Sequence, residues 1–302
     1  WGHPHAQRLY DQRNSMLIID EETPLQSQKS QLYLVEVPEG ASPHQTPPMV
    51  THNPEADNRL FAILGAGIAG QMAAETLRKE GYEGRIVMIT ADAELPYKRT
   101  ALSKGYLQND AANDLPTLRS QSFFEEHGIE LWCDRTVTAV KPYEHSITFA
   151  DGEVLTYHQL LLATGGKARQ LNASGADLEN VLTLHTAEDA AQIVESAQSA
   201  QRAVVIGSSF IGMETAASLT QAGLSVTVVS PEAIPFEKTF GAIVGHRLQV
   251  MHQENGVEFR LDCKATEFIG EGAVREVVLD NGDRIPADLV VVGIGIQPAT
   301  DY

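Results

Sequence analysis

One supersecondary pattern occurs twice in this chain, and this repetition limits the possible folds more than any other feature of the sequence. The apolar segment Leu60–Leu64 leads into Gly65-Ala66-Gly67-Ile68-Ala69-Gly70 and then into a segment with helical periodicity. The apolar segment Ala203–Ile206 leads in the same way into Gly207-Ser208-Ser209-Phe210-Ile211-Gly212. Strands that alternate with helices form α/β domains built on parallel sheets. The sequence therefore predicts two α/β domains of the same plan.

The first glycine loop has the spacing of a dinucleotide-binding turn. Gly65 would make the tight turn, Gly67 would let a pyrophosphate approach the backbone, and Gly70 would let helix and strand pack closely. The N-terminus of the following helix offers free N–H groups and the positive end of the helix dipole to the phosphates. Asp92 follows the next strand, slightly late for the acid that binds ribose. The alternative is a glycine-rich turn in an ordinary β-α unit.

The second loop departs from this pattern at its middle position. Gly207 and Gly212 keep their places, whereas Ser209 replaces the central glycine; serine is small and can itself hydrogen-bond phosphate. Glu232 lies about 20 residues past the third glycine, where an acid binds the ribose hydroxyls of NAD. Because no arginine lies beside Glu232 to bind a 2′-phosphate, the sequence favours NAD over NADP.

Two dinucleotide sites in one chain imply two dinucleotides that face each other. The two cysteines, Cys133 and Cys263, form neither a CxxC redox pair nor a four-cysteine metal site. Hydride transfer from a nicotinamide to a flavin is then the natural chemistry. We expect FAD and NAD as cofactors and two Rossmann-like, three-layer (ββα) domains, with the NAD domain inserted into the FAD domain.

Three further segments carry a family resemblance. Glu94-Leu95-Pro96-Tyr97-Lys98-Arg99-Thr100-Ala101-Leu102-Ser103-Lys104 resembles the LPYxRPxLSK signature of flavin-dependent pyridine-nucleotide oxidoreductases. More narrowly, it resembles ferredoxin reductases of oxygenase systems and apoptosis-inducing-factor-like proteins, which lack a redox-active disulfide. Leu161–Gly166 is similar to the family's ATG strand end, and Asp288–Pro298 to the motif that ends its NAD domain. The resemblance covers residues 59–302.

The resemblance implies roles for individual residues. Arg99 would pair with the FAD pyrophosphate, since a guanidinium forks onto phosphate oxygens. Lys104 and Glu214 would be the catalytic pair, close enough at the domain junction to form an ion pair near the flavin ring. The expected cofactor-binding set is Gly65, Gly67, Gly70, Asp92, Arg99, Lys104, Val137 (through its main chain to adenine), Thr164, Gly165, Gly207, Ser209, Gly212, Glu214, Glu232 and Gly295. A solvated surface charge is the alternative for Arg99, Lys104 and Glu214.

The chain also departs from the family pattern. Thr100 replaces a proline, His185 replaces the arginine of a Leu-Arg-Thr sequence, and Ser103 stands where related NADH oxidases and peroxidases carry a peroxidatic cysteine. The family's second FAD motif and its C-terminal domain would follow residue 302. We therefore expect part of a longer polypeptide that by itself binds FAD weakly.

Composition separates residues 1–58 from the rest, because seven of the 14 prolines lie there. We predict a tail, a linker or the remnant of an upstream domain, with strands near Met16–Ile19 and Leu32–Val37. Metal binding by His3 and His5 is the alternative, without support from a third ligand; no metal site is expected. The predicted domains are 59–170 (FAD, first part), 171–294 (NAD) and 295–302 (return to the FAD domain).

The charge of −18 excludes some partners. Such a surface repels nucleic-acid phosphates and anionic lipid, and no apolar run is long enough to span a membrane. We expect a cytoplasmic FAD-dependent NAD(P)H oxidoreductase that passes electrons to a ferredoxin or a Rieske-type protein. The alternatives are an NADH-binding redox sensor of the apoptosis-inducing-factor type and an NADH:quinone reductase. The sequence predicts no oligomeric state.

Overall fold

A computed structural model describes residues 6–10, 15–20, 32–36, 48–108 and 115–302. The chain divides into two compact units, Trp1–Pro48 and Met49–Tyr302. In the first, three strands form an antiparallel sheet in sequence order: β1 (Ala6–Tyr10), β2 (Ser15–Asp20) and β3 (Leu32–Glu36). β2 and β3 confirm the two predicted strands. His3, His5 and residues 38–47 of the predicted linker lie outside the described residues.

The second unit contains two halves with the same layered plan. The elements of the first half are β4 (Leu60–Leu64), α1 (Ile68–Lys79), β5 (Arg85–Ile89), α2 (Gln121–Glu126), β6 (Ile129–Trp132), β7 (Val137–Lys141), β8 (Ser146–Phe149), β9 (Val154–Thr156) and β10 (Gln159–Leu162). They form a parallel sheet in the order β10-β4-β5-β6 and an antiparallel sheet β7-β8-β9. One core lies between the two sheets and includes Leu64, Ile89 and Phe149. A second, with Ile63, Ala74 and other residues, lies between the parallel sheet and its helices.

The second half repeats this arrangement. Its elements are β11 (Gly166–Ala168), β12 (Val181–Thr183), α3 (Ala187–Ser199), β13 (Arg202–Ile206), α4 (Phe210–Gln221), β14 (Ser225–Val229), α5 (Glu237–Glu254), β15 (Glu258–Arg260), β16 (Ala265–Glu271), β17 (Ala273–Leu279), β18 (Arg284–Pro286), β19 (Leu289–Val292) and β20 (Ile296–Pro298). The parallel sheet has the order β12-β19-β13-β14-β15, and β16-β17-β18 form the antiparallel sheet. Apolar cores lie on both faces of the parallel sheet. The fold is therefore α/β with two Rossmann-like domains of three layers.

Two short strands connect the halves. β11 and β20 pair in antiparallel fashion, with Gly166 opposite Pro298 and Ala168 opposite Ile296. Beyond β20, Tyr302 packs against the core between the two sheets of the first half. The two glycine loops follow strands of separate sheets, as the two-domain prediction requires.

Several element boundaries have identifiable local causes. α5 begins at Glu237 and contains a kink at Gly241, where φ is 78°. α2 begins at Gln121 because the side chain of Ser120 caps it by accepting a bond from the Phe123 N–H. β12 and β15 were not predicted, since three-residue strands show too little alternation to be detected. Among the described residues, none of the helices is both long and apolar enough to cross a membrane.

Candidate functional site: two glycine loops joined by a lysine–glutamate pair

The first glycine loop uses its three glycines in two different ways. Gly65 has φ of 110°, and a Cβ there would lie 2.1 Å from the carbonyl oxygen of Ala163. A Cβ on Gly70 would lie 1.9 Å from the carbonyl oxygen of Gly65. These two glycines are required by the fold. Gly67, the N-cap of α1, has no described atom within 4 Å of an added Cβ, and no described side chain caps the helix. The loop therefore leaves open space at a helix N-terminus, where an anionic group is favoured.

Arg99 and Asp92 line a small cleft together with Gly67. Arg99 Nη2 donates to Asp92 Oδ2 at 2.7 Å, and Arg99 Nη1 donates to the carbonyl oxygen of His185 at 2.8 Å. The Tyr97 hydroxyl also donates to Asp92 Oδ2, at 3.3 Å. Arg99 and Asp92 were predicted to contact different parts of the cofactor, and their pairing was not predicted. A guanidinium has five N–H donors, so Arg99 retains donors for phosphate oxygens beyond these two bonds.

His185, where the family pattern has arginine, lies beside this cleft. Burial, followed by the nearby Arg99 guanidinium, lowers the pKa of His185 below its usual value. The side chain is therefore neutral at pH 7 and adds no positive charge. Arg99 is the cation that the structure places in the cleft near Gly67.

Three other predicted FAD-site residues lie at strand ends. Thr164 follows β10, and its hydroxyl donates to the carbonyl oxygen of Ala299 at 2.8 Å. The Gly165 carbonyl oxygen accepts from the Ala299 N–H at 3.1 Å. These two residues therefore contact the segment that returns after β20. Val137 is the first residue of β7 and packs on the core between the sheets.

The second glycine loop repeats the first, with a serine in place of the central glycine. Gly207 again has φ of 110°, and a Cβ there would lie 2.4 Å from the Gly293 carbonyl oxygen. A Cβ on Gly212 would lie 2.0 Å from the Gly207 carbonyl oxygen. Ser209 is the N-cap of α4, but its side chain makes no capping bond. The loop borders a cleft of about 320 Å³ that Glu232 and Gly295 also line, so four predicted NAD-site residues lie together. The other two, Gly212 and Glu214, lie in α4.

Glu232 is held in this cleft by a hydrogen-bonded network. Ser230 Oγ donates to Glu232 Oε2 at 2.7 Å and lies 2.7 Å from Ser208 Oγ, and both serines are buried. Lys238 Nζ donates to Glu232 Oε1 at 3.0 Å. The Ser230 hydroxyl and then the Lys238 ammonium lower the pKa of Glu232, which stays ionised. Lys238 was not predicted because it lies six residues after Glu232, at the start of α5, and not directly beside the acid.

Lys104 and Glu214 join the two halves. Lys104 lies in a π-helical turn (Leu102–Tyr106) of the first half, and Glu214 lies in the first turn and a half of α4. Their Nζ and Oε2 atoms are 2.7 Å apart, which confirms the predicted ion pair. Ser103 Oγ donates to the same Glu214 oxygen at 2.6 Å, a contact that the sequence did not predict.

An exposed aromatic cluster lies at the start of α4, beside the second loop. The Phe210 ring centroid is 5.1 Å from that of Phe236 and 5.7 Å from that of Phe240, both in edge-to-face geometry. Phe236 also lines the cleft that contains Glu232. These rings offer an apolar surface to a planar ring system. No periodic signal in the sequence marks them as a group.

Comparison with known proteins agrees with this geometry. The family model of the pyridine nucleotide-disulphide oxidoreductases matches residues 60–302. Apoptosis-inducing factor 3 of Homo sapiens is 42% identical over 241 residues, which are 80% of this chain and 39% of that protein. Rhodocoxin reductase of Rhodococcus erythropolis is 36% identical over 239 residues, which are 79% of this chain and 56% of that protein.

A solved structure gives the same result for the fold. A chain in the crystal structure of the covalent putidaredoxin reductase–putidaredoxin complex superimposes with a TM-score of 0.76 at 33% identity, covering 80% of this chain and 60% of that chain. The chain thus spans less than two thirds of the length of these relatives. The matching segment includes both glycine loops, the Lys104–Glu214 pair and β20. The chain belongs to the pyridine nucleotide-disulphide oxidoreductase family.

Proposed function

We propose that this chain is the dinucleotide-binding part of an FAD-dependent NAD(P)H oxidoreductase, which takes hydride from NADH and passes electrons to a ferredoxin or Rieske-type protein. The observation that carries the proposal is the Lys104–Glu214 ion pair, with 2.7 Å between charged atoms contributed by two separate dinucleotide-binding folds. The family membership supports the cofactor class. Residues 59–170 and 295–302 would form the FAD-binding domain, and residues 171–294 the NAD-binding domain.

The first glycine loop fits FAD. The open space at Gly67 would admit the pyrophosphate to the N-terminus of α1, where backbone N–H groups donate. Arg99 would donate to the phosphate oxygens, and Asp92 would accept from the adenosine ribose. Gly65 and Gly70 keep the turn tight enough for this approach. Val137, Thr164 and Gly165 would border the rest of the cofactor.

The second loop fits NAD. The cleft of about 320 Å³ has a helix N-terminus at one side and an ionised carboxylate, Glu232, at the other. A carboxylate accepts from the two ribose hydroxyls of NAD and repels the 2′-phosphate of NADP. Gly207, Ser209 and Gly212 would hold the pyrophosphate, and Gly295 would border the nicotinamide half.

When bound, a flavin accepts a hydride from a nicotinamide and can return the electrons to a one-electron acceptor. The task of the protein is to hold the two rings together and to balance charge as the flavin becomes electron-rich. The Lys104 ammonium would stabilise that developing charge. Glu214 would hold the ammonium in place, since its carboxylate oxygen lies within hydrogen-bond distance of Lys104 Nζ.

The acceptor is proposed from the relatives. Their names include rhodocoxin reductase and the ferredoxin reductase components of several dioxygenase systems, and one solved structure holds putidaredoxin on its reductase. A small electron-transfer protein would therefore dock near the flavin.

Two free cysteines, Cys133 and Cys263, suit a reducing compartment such as the cytoplasm.

A second candidate is a redox sensor that responds to NADH by a change of conformation or assembly. The 42% identity to apoptosis-inducing factor 3 favours it, since that identity exceeds the 36% to rhodocoxin reductase. The two candidates differ in the fate of the reduced flavin, because an enzyme must pass its electrons on at every turnover.

One experiment separates these candidates. The whole protein, loaded with FAD, is mixed anaerobically with NADH, and the loss of oxidised-flavin absorbance is followed; a ferredoxin and, separately, air are then added. Rapid reduction and rapid reoxidation by ferredoxin are expected for the reductase. Reduced flavin that persists with ferredoxin and in air would favour the sensor. A protein that binds FAD but is not reduced by NADH or NADPH would refute both.

A further inference from the structure

Ser103 is a buried hydroxyl at the domain junction to which the proposed function gives no role. Its side chain donates to Glu214 Oε2 at 2.6 Å, and Lys104 Nζ donates to the same oxygen at 2.7 Å. Ser103 is only 6% exposed, whereas the side chains of Lys104 and Glu214 are 51% and 32% exposed. One oxygen of the Glu214 carboxylate thus accepts two hydrogen bonds, one from the buried Ser103 hydroxyl and one from the more exposed Lys104 ammonium.

The exposed ion pair does not fix its own geometry. Salt bridges of this exposure contribute little, because water competes for both groups and long side chains keep their rotamer freedom. A short hydrogen bond from a buried hydroxyl to a charged group is stronger and directional. Ser103 therefore has the stronger hold on the position of the Glu214 carboxylate.

The backbone of the turn is arranged so that two consecutive side chains reach one atom. Side chains of adjacent residues in a regular helix point about 100° apart. At Lys104 the backbone leaves the helical region, with φ of −117° and ψ of −115°. Ser103 and Lys104 can then both approach α4. In this turn the hydroxyl and the ammonium both reach Glu214 Oε2.

We propose that Ser103 is a positioning residue for hydride transfer: its hydroxyl fixes the Glu214 carboxylate, which in turn sets the position of the Lys104 ammonium beside the flavin. This inference rests on the proposed function. Ser103 contacts neither cofactor in this role and acts through Glu214 alone. Its loss would therefore affect the flavin through the position of Lys104 and would leave NADH binding almost unchanged.

The junction offers a matched control. Ser218 Oγ in α4 donates to the carbonyl oxygen of Ser103 at 2.7 Å, and Gln108 Nε2 donates to Ser218 Oγ at 3.2 Å. Ser218 is 1% exposed and ties the same turn to the same helix without touching Glu214. Ser218→Ala therefore removes a buried hydrogen bond of similar length, together with the bond from Gln108, but leaves both bonds to the Glu214 carboxylate.

The experiment compares the FAD-loaded whole protein with S103A, S218A, E214Q and the double variant S103A/E214Q. Three quantities are measured: the limiting rate of anaerobic flavin reduction at saturating NADH, the Kd for NADH and the flavin midpoint potential. S103A is expected to slow flavin reduction about 5-fold, because water restores only part of the stabilisation that the Ser103 hydroxyl gives to the charged Glu214 carboxylate. It should lower the midpoint potential, since the ammonium is held less closely to the reduced flavin. S218A should leave rate and potential unchanged.

The double variant identifies the route. If Ser103 acts through the Glu214 carboxylate, the S103A substitution should change the rate less than 2-fold in the E214Q background. If NADH reduces the flavin of S103A at the wild-type rate but reduces the flavin of E214Q slowly, this inference is overturned and the proposed function stands. Equal slowing by S218A and S103A, or a full S103A effect in the E214Q background, would also overturn it. If the flavin of E214Q is reduced at the wild-type rate, the ion pair has no role in hydride transfer, and this inference is refuted with it.

Discussion

Substitution of Gly67 by alanine separates what the fold requires from what FAD requires. An added Cβ at Gly67 meets no described atom within 4 Å, and the backbone angles, φ of −67° and ψ of −174°, suit any residue. The protein itself therefore accepts the methyl group. Under the proposed function, the space that the methyl would fill is the space through which the FAD pyrophosphate would approach the N-terminus of α1.

The magnitudes follow from this geometry. Alanine is a poorer N-cap than glycine, which lowers the free energy of unfolding by about 0.5–1 kcal/mol. Alanine also reduces the entropy of the unfolded chain, which raises the free energy of unfolding by about 0.4–1 kcal/mol. The free energy of unfolding of G67A should therefore change by less than about 0.5 kcal/mol. Each backbone hydrogen bond to phosphate that the methyl prevents costs about 1.5–3 kcal/mol, so the Kd for FAD should rise about 10- to 150-fold.

The assay is a titration of flavin-depleted protein with FAD, read by flavin fluorescence, beside thermal unfolding without added FAD. G70A is the positive control for misfolding, because its Cβ would lie 1.9 Å from the Gly65 carbonyl oxygen. S209G makes the reciprocal change in the second loop and should leave the Kd for FAD unchanged. Wild-type FAD affinity in a folded G67A protein would show that FAD does not bind at the first loop.

Three further predictions concern other contacts. Arg78 is fully buried and donates to the carbonyl oxygens of four loop residues. R78M should therefore lower the free energy of unfolding, measured in urea, by more than about 3 kcal/mol. A loss below about 1 kcal/mol would contradict this. Hydrogen bonds from Arg202 hold the pKa of Asp288 at about 2, below its ordinary 3.8, so the stability it supplies is present above about pH 4 and is lost as the pH falls toward 2. Stability curves of wild type and D288N should therefore converge over that interval, and parallel curves would refute the assignment. E232Q should strengthen the binding of 2′,5′-ADP relative to 5′-AMP about 5-fold, since Lys238 is then free to pair with the 2′-phosphate. Calorimetry measures both Kd values, and an unchanged ratio of the two would show that the ribose does not bind at Glu232.

The parts of the fold that the sequence predicts well are the long apolar strands and the helices that follow glycine loops. α4 begins at Phe210, directly after the second glycine loop, where the glycine spacing predicts the start of a helix. β15 was missed because two of its three residues, Glu258 and Arg260, are charged, and it is a strand only because β14 lies beside it. Pairing with a neighbouring strand can supply structure that local pattern does not indicate.

The candidate site divides in the same way. The glycines of both loops and Glu232 could be predicted from spacing alone, since each lies near its loop in sequence. Lys104 and Glu214 are separated by 110 positions, and their contact was predicted only through the family resemblance. The Ser103 hydroxyl and Lys238 were not predicted. Serine and lysine are common at surfaces, and only tertiary contacts show that these two residues face the carboxylates.

Under the proposed function, the difference between the two loops matches the different tasks of the two cofactors. A flavin that remains bound through many turnovers needs close contact between phosphate and backbone, and Gly67 leaves the N-terminus of α1 without a side chain. A nicotinamide dinucleotide must leave after each hydride transfer, and every tenfold weakening of its binding corresponds to about 1.4 kcal/mol. Ser209 places a Cβ and a hydroxyl at the equivalent position, the N-cap of α4, without using the hydroxyl as a cap. Under the proposed function, one architecture used twice would retain one dinucleotide and exchange the other, and a single side chain at the helix N-terminus would contribute to that difference.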